Sequence, residues 1–167
     1  MKHASSQADE CRVGIISDTH GLLRPEAEAA LQDSDLIIHA GDIGHPSVLA
    51  SLGSIAPVFA VRGNNDHGEW AEKLPEFLVV KAGGVSLRVL HNVTDLKDAA
   101  SSPGSQQCAA IIAGHSHRPL VEKRDGVLYI NPGSAGPRRF RLPITIAHLK
   151  IRGGELAASI IEIEPSG

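Results

Sequence analysis

Seven residues carry oxygen or imidazole donors at the ends of apolar runs: Asp18, His20, Asp42, Asn64, His91, His115 and His117. In chain order they stand as Asp18-x-His20, Gly41-Asp42, Gly63-Asn64-x-Asp66, His91 and Gly114-His115-x-His117. Residues two apart in an extended strand point the same way, so Asp18 with His20 can converge on one object. Each donor has a plainer use alone: Asp42 as a helix cap, Asn64 as a turn residue, His115 and His117 as polar residues of a loop. Their recurrence at successive strand ends makes a metal site the joint reading. Four imidazoles with carboxylate and amide oxygens suit manganese, iron, nickel or zinc better than calcium or magnesium. Seven donors are too many for one four-coordinate ion but fit two ions of about four ligands each that share a carboxylate. Sharing sets the ions about 3.5–4 Å apart, the spacing used to hydrolyse phosphoesters. Two divalent cations facing two carboxylates keep about two positive charges, which a bridging hydroxide and a monoanionic phosphodiester would neutralise.

The elements that must deliver these donors can be read from the same runs. Val13–Ile16 is a buried strand ahead of Asp18, Leu36–Ala40 a second ahead of Asp42, and Ile55–Val61 a third ahead of Asn64. Helices are expected over Leu22–Gln32, with Pro25 in the first turn, and over Pro46–Leu52, with Gly53 as its stop. Strands alternating with helices imply right-handed crossovers and a parallel sheet, whose carboxyl edge is where open α/β folds place their sites. The second half reads differently. Glu76–Val80 and Val85–Leu90 flank Lys81–Gly84 as a hairpin, and Asn92–Gln107 is loop or short helix. Cys108–Ala113 is a strand leading to His115. Leu120–Lys123 with Gly126–Ile130 and Ile144–Lys150 with Leu156–Ile163 are two more hairpins, and Asn131-Pro132-Gly133-Ser134 is a tight turn.

Length and charge narrow the function classes. With 167 residues and a net charge of −3, the chain suits one domain and carries no basic footprint for general nucleic-acid or acidic-membrane binding. No apolar run approaches the ~18 residues of a membrane span. Residues 1–10 are polar and read as a mobile tail on a cytoplasmic protein, leaving 11–167 as a single domain. Cys11 and Cys108 are expected as free thiols. No glycine-rich phosphate loop of the P-loop or dinucleotide kind is present, so nucleotides are expected only as substrates at the metals.

These ordered motifs resemble those of the calcineurin-like metallophosphoesterases, in particular the small phosphodiesterase branch that also includes the retromer subunit of that fold. The resemblance runs from about Arg12 to Ile163. It implies an α/β protein built as a four-layer α/β/β/α sandwich. One metal would be held by Asp18, His20, Asp42 and His117, and the second by Asp42, Asn64, His91 and His115, with Asp42 as the bridge. The implied function is a metal-dependent phosphoesterase, phosphodiesterase before monoesterase. A metal-bridging hydroxide, generated at two manganese ions in the first instance, would make an in-line attack on a small phosphoester. A scaffold that binds protein partners and turns over little is the alternative, and a homo-oligomer is compatible with either.

Two positions depart from the pattern. Where the larger members of the family place a histidine after the metal-binding Asn, this chain has Asn65. An amide is no general acid near neutral pH, so a factor of order 10²–10⁴ is absent or supplied by water, and good leaving groups should be favoured. Asn65 is then at most a hydrogen-bond donor to phosphate, with His67 a possible substitute. Asn92-Val93 follows His91 where the branch more often has glycine and a further histidine. His39 is expected either behind a ligand, orienting it, or packed in the strand. Asp66 either closes its turn or holds the loop. Arg138, Arg139 and Arg141 are either solvated or within reach of a phosphate tail.

Overall fold

In the computed structural model, which describes residues 10–95, 108–139 and 141–165, ten strands form two five-stranded sheets. The first has the order β10-β9-β1-β2-β3. Its members are β1 (Cys11–Ile16), β2 (Leu36–His39), β3 (Val58–Ala60), β9 (Thr145–Arg152) and β10 (Glu155–Glu162). The second has the order β4-β5-β6-β8-β7. It comprises β4 (Phe77–Ala82), β5 (Val85–Leu90), β6 (Cys108–Ile112), β7 (Leu120–Arg124) and β8 (Val127–Asn131). Strands β1, β2 and β3 pair in parallel, as do β5, β6 and β8. The loops after the two parallel triplets meet, the His115 N–H reaching Asp18 Oδ2 and the Ser134 hydroxyl the Asp18 carbonyl, so both sets of strand ends lie at the side that carries the donors.

Alternation along the strands explains the layering. Val13 and Ile15 of β1 point inward with Ile38, Leu87, Val89, Ala110, Ile112 and Leu149, forming the core between the sheets. Ile16, Ile37 and Ile146 face the other way, under α1 (Pro25–Ala30) and α2 (Pro46–Gly53). Helix α1 lies so close to β1 that a Cβ on Gly14 would sit 2.5 Å from Leu31 and Ser34 side chains. His148 of β9 donates from Nε2 to the Ala30 carbonyl, 2.7 Å away, and so closes the carboxyl end of α1. The result is the expected α/β class with two stacked sheets and helices over the first. A helical layer over the second sheet is not found among the described residues, and the expected Asn92–Gln107 connection lies largely outside them, as does most of the expected tail.

Several boundaries differ from the expectation for local reasons. Arg24 precedes a proline and is extended (φ −75°, ψ 141°), so α1 starts at Pro25 rather than Leu22. Ile55 and Ala56 still donate to the Leu52 carbonyl as the last turn of α2 relaxes, which delays β3 to Val58. A four-residue helix, α3 (Glu69–Glu72), was not foreseen; it is too short for a periodic signal, yet it brings Trp70 against the outer cluster. All three hairpins turn on two left-handed residues: Gly83-Gly84, Asp125-Gly126 and Gly153-Gly154. This is the two-residue connection whose twist matches that of paired strands. Both cysteines are free thiols.

Candidate metal centre

The backbone at the donors is unusual before any side chain is considered. Among the described residues six non-glycine residues have left-handed φ, and five of them are Asp18 (56°), His20 (48°), Asp42 (57°), His115 (72°) and His117 (64°). Such a conformation costs a side-chain-bearing residue about 1–2 kcal/mol, so it persists only where the surroundings dictate it. Here the chain is reversed sharply at each strand end, and interlocking backbone bonds hold the reversals. Asp18 donates to the Gly41 carbonyl, His20 to Asp42 and Gly21 to Ile43, all within 3.0 Å. The loops after β1 and β2 are thus zipped side by side.

Asp18 is wholly buried. Its Oδ2 accepts from the Ser17 hydroxyl at 2.6 Å and from the His115 N–H at 3.0 Å. Its Oδ1 has no hydrogen-bond partner, although His117 Nε2 lies 3.3 Å away and His20 and His91 Nε2 each lie 3.9 Å away. Asp42 Oδ2 is 3.3 Å from His91 Nε2 and 3.8 Å from His20 Nε2. Two compact groups result, Asp18 with His20 and His117, and Asp18 with Asp42 and His91. His115 joins through His91, its Nδ1 being 3.3 Å from His91 Nε2. Asn64 lines the adjoining cavity with His91 and His115. Asp18 is common to both groups, and Asp42 reaches a histidine of each; both carboxylates therefore lie between the two clusters.

The donor atoms fit divalent metal ions. A carboxylate oxygen without a donor, ringed by three Nε2 atoms, is a cluster of lone pairs that only cations or protons can reconcile. His20 Nε2 is likewise buried and unpartnered. His91 is oriented for the task, because its Nδ1–H donates to the Ala40 carbonyl at 2.7 Å and turns Nε2 inward. The electrostatics keep the carboxylates ionised. Burial works to raise Asp18, but His117, the Ser17 hydroxyl and His91 outweigh it and its pKa falls. Asp42, likewise opposed by burial, is pulled well below the usual range by His91 and Asn65. Burial lowers His20 despite Asp42 and Asp18, with Arg139 adding to the effect. His91 goes up instead: burial would lower it, but Asp42, the Ala40 carbonyl and Asp18 prevail.

The neighbours of the centre are placed more definitely than the sequence allowed. Asn65 does not aim its amide at open space: Nδ2 donates to Asp42 Oδ2 and the backbone N–H to Oδ1, both at 2.9 Å. His39 is fully buried, accepts the Gly41 N–H at Nδ1 and so donates from Nε2 to the Thr19 hydroxyl, tying the first two loops together. Burial lowers its pKa to about 4. Asp66 both closes its turn, at the Gly63 N–H, and reaches across to the N–H groups of Ile43 and Gly44. His67 is exposed on the same loop. Of the three arginines, Arg138 turns back to the Leu142 carbonyl, while the charge of Arg139 is felt at His20.

Three supports went unforeseen. Ser17 is one, and its only signal was its place next to Asp18. Asn131 donates to the Gly114 carbonyl and the Ser116 hydroxyl, holding the loop of His115 and His117. Ser134 donates to the Asp18 carbonyl at 3.0 Å. The signal for these two was a polar cluster at a strand end, the pattern that found the donors, but at 131–134 it read as a turn alone.

Two stacked sheets with carboxylates and imidazoles gathered at their common edge define a metal-dependent hydrolase architecture. The chain belongs to the calcineurin-like phosphoesterase superfamily, whose domain matches residues 11–154. A probable metallophosphoesterase of Methanothermobacter thermautotrophicus is 31% identical over 161 residues, covering 89% of this chain and 91% of that protein. Among solved structures, a novel archaeal phosphodiesterase superposes with a TM-score of 0.72 at 27% identity, covering 90% of this chain and 99% of that one. Vps29 of Chaetomium thermophilum shares the fold with a TM-score of 0.73 at 19% identity, covering 92% and 97% of the two chains. Family membership implies a hydrolase that uses divalent metal ions on phosphoesters, and the described residues contain no helix long and apolar enough to cross a membrane.

Proposed function

We propose that this protein is a dinuclear metal-dependent phosphodiesterase. The carrying observation is the unpartnered Asp18 Oδ1 with the Nε2 atoms of His20, His91 and His117 within 3.9 Å of it. In this reading Asp18, His20, Asp42 and His117 hold one ion and Asp42, Asn64, His91 and His115 the other, with manganese the first candidate on donor chemistry. Bound there, such ions would supply an activated water for attack at phosphorus and would polarise the phosphoryl oxygen. The residues around them do the positioning. Asn65 grips both oxygens of Asp42 and fixes the plane of the carboxylate. His91 is fixed by Ala40, and Ser17 with the His115 N–H leaves one Asp18 oxygen to bind. Asn65 itself cannot protonate the leaving oxygen near neutral pH, so the rate should depend steeply on leaving-group pKa.

Metal analysis of the purified chain, paired with hydrolysis of an aryl phosphodiester and monoester under added manganese, tests the reading. About two ions per chain are expected, with the diester preferred and activity lost in Asp42→Asn. A second reading, a partner-binding scaffold with bound metal, is favoured by one observation: the amide of Asn65 is committed to Asp42 and is no acid. Two bound ions with no turnover of any ester would select it.

A further inference from the structure

Beside the donors the molecule opens into a cavity of about 840 Å³. His91, His115 and Asn64 belong to both its wall and the candidate centre, so a group seated in the cavity lies next to whatever is bound by those three donors. On the reading of this site as a phosphodiesterase, the occupant is an ester arm of the substrate. The volume is in the range of small-molecule sites and far larger than a methyl or ethyl arm requires.

The walls say what kind of arm it is. Among the described lining residues the one cation is Arg62, whose Nη2 lies 2.7 Å from Glu76 Oε2, and Asp95 adds a second acid. A further phosphate on the arm would meet two carboxylates and an arginine already paired, so a polyphosphate chain is disfavoured. Phe77 and Leu90 supply the apolar part of the wall. The Phe77 ring is held in place by the Arg88 guanidinium, 4.5 Å from its centroid, which makes it a rigid surface for a flat group. Asn92, also in the wall, has its Oδ1 occupied by the N–H and hydroxyl of Thr94. Its amide nitrogen is left as a donor for the edge of a ring. We propose that this cavity is a subsite for a neutral, planar ester arm of nucleoside size, making the substrate a phosphodiester of a nucleoside-like alcohol. In the reaction water oxygen bonds to phosphorus, the bond from phosphorus to the leaving oxygen breaks, and the water proton goes to the departing alcohol.

The test compares thymidine 5′-(p-nitrophenyl phosphate) with methyl p-nitrophenyl phosphate on the full chain with manganese, since the two share a leaving group. Stacking should lower KM for the thymidyl ester about tenfold or more, with kcat little changed. Phe77→Ala should bring the KM ratio of the two esters near one. Val79→Ala, an exposed position of the same strand outside the cavity, should keep it. Equal KM values in the unaltered chain, or a ratio untouched by Phe77→Ala, overturn the subsite. Failure of both esters to react with two ions bound removes the hydrolase reading instead. The subsite is then judged by thymidine alone on the metal-free, ¹⁵N-labelled chain. Millimolar nucleoside should shift the amide signals of Phe77, Leu90 and Asn92, and unshifted signals overturn it.

Discussion

At the scale of single residues, Asn65 changes meaning between sequence and structure. As a departure from a family pattern it stands for a missing acid; in the folded chain it is a clamp on Asp42, through two 2.9 Å bonds. Asn65→Ala keeps the backbone donor and loses the amide, so isothermal titration should show manganese binding weakened about 10–100-fold, the usual cost of freeing a ligand from its support. His39 gives a prediction in pH. Its imidazole titrates near 6.5 unfolded and about 4 folded, so between those values the unfolded chain binds more protons. Stability of the metal-free chain is therefore fully present above pH 6.5 and falls as pH drops towards 4, by roughly 3 kcal/mol from this residue. Denaturant titrations of the chain and of His39→Gln across that window should differ by this slope; parallel profiles would show that His39 is not buried in the neutral form.

At the scale of elements, the clustering of the carboxylates and imidazoles was legible because each ends an apolar run, a pattern that strand period and polarity both mark. Their supports were not. Ser134 lies 116 residues from the Asp18 carbonyl it bonds, and Asn65 lies 23 from Asp42; no local period records such partners. Element ends were blurred where a relaxing helix or a proline decided the backbone, as after Leu52 and at Pro25. The Asn131–Ser134 segment shows the consequence. It is a turn, as its residues suggest, and also the brace between the loops of the two sheets. Ser134→Ala removes a donor to the Asp18 carbonyl and an acceptor for the Gly136 N–H. Chemical denaturation should register a loss of about 1–3 kcal/mol, the cost of leaving buried polar groups unpaired.

At the scale of the whole molecule, the class of fold followed from the order of strands and helices, while the stacking of two sheets came from the family resemblance alone. Periodicity shows that β1 is buried on both faces but not which faces meet across the interior. Once the sheets are stacked, Asp18, His20, Asp42 and Asn64 lie at one sheet's edge and His91, His115 and His117 at the other's. Removing metal with a chelator should therefore lower the melting temperature by several degrees, since ions that bind only the folded state stabilise it by mass action.

That division of donors has a mechanical consequence. On the proposed reading, a metal pair held by both sheets would act as a rivet through two plates, so its coordination would gauge how the plates are seated on one another. Leu87 is fully buried in the interior between the sheets and is not itself a donor. Leu87→Ala should let the plates settle inward and loosen manganese binding, read by isothermal titration, although Leu87 is not among the proposed ligands.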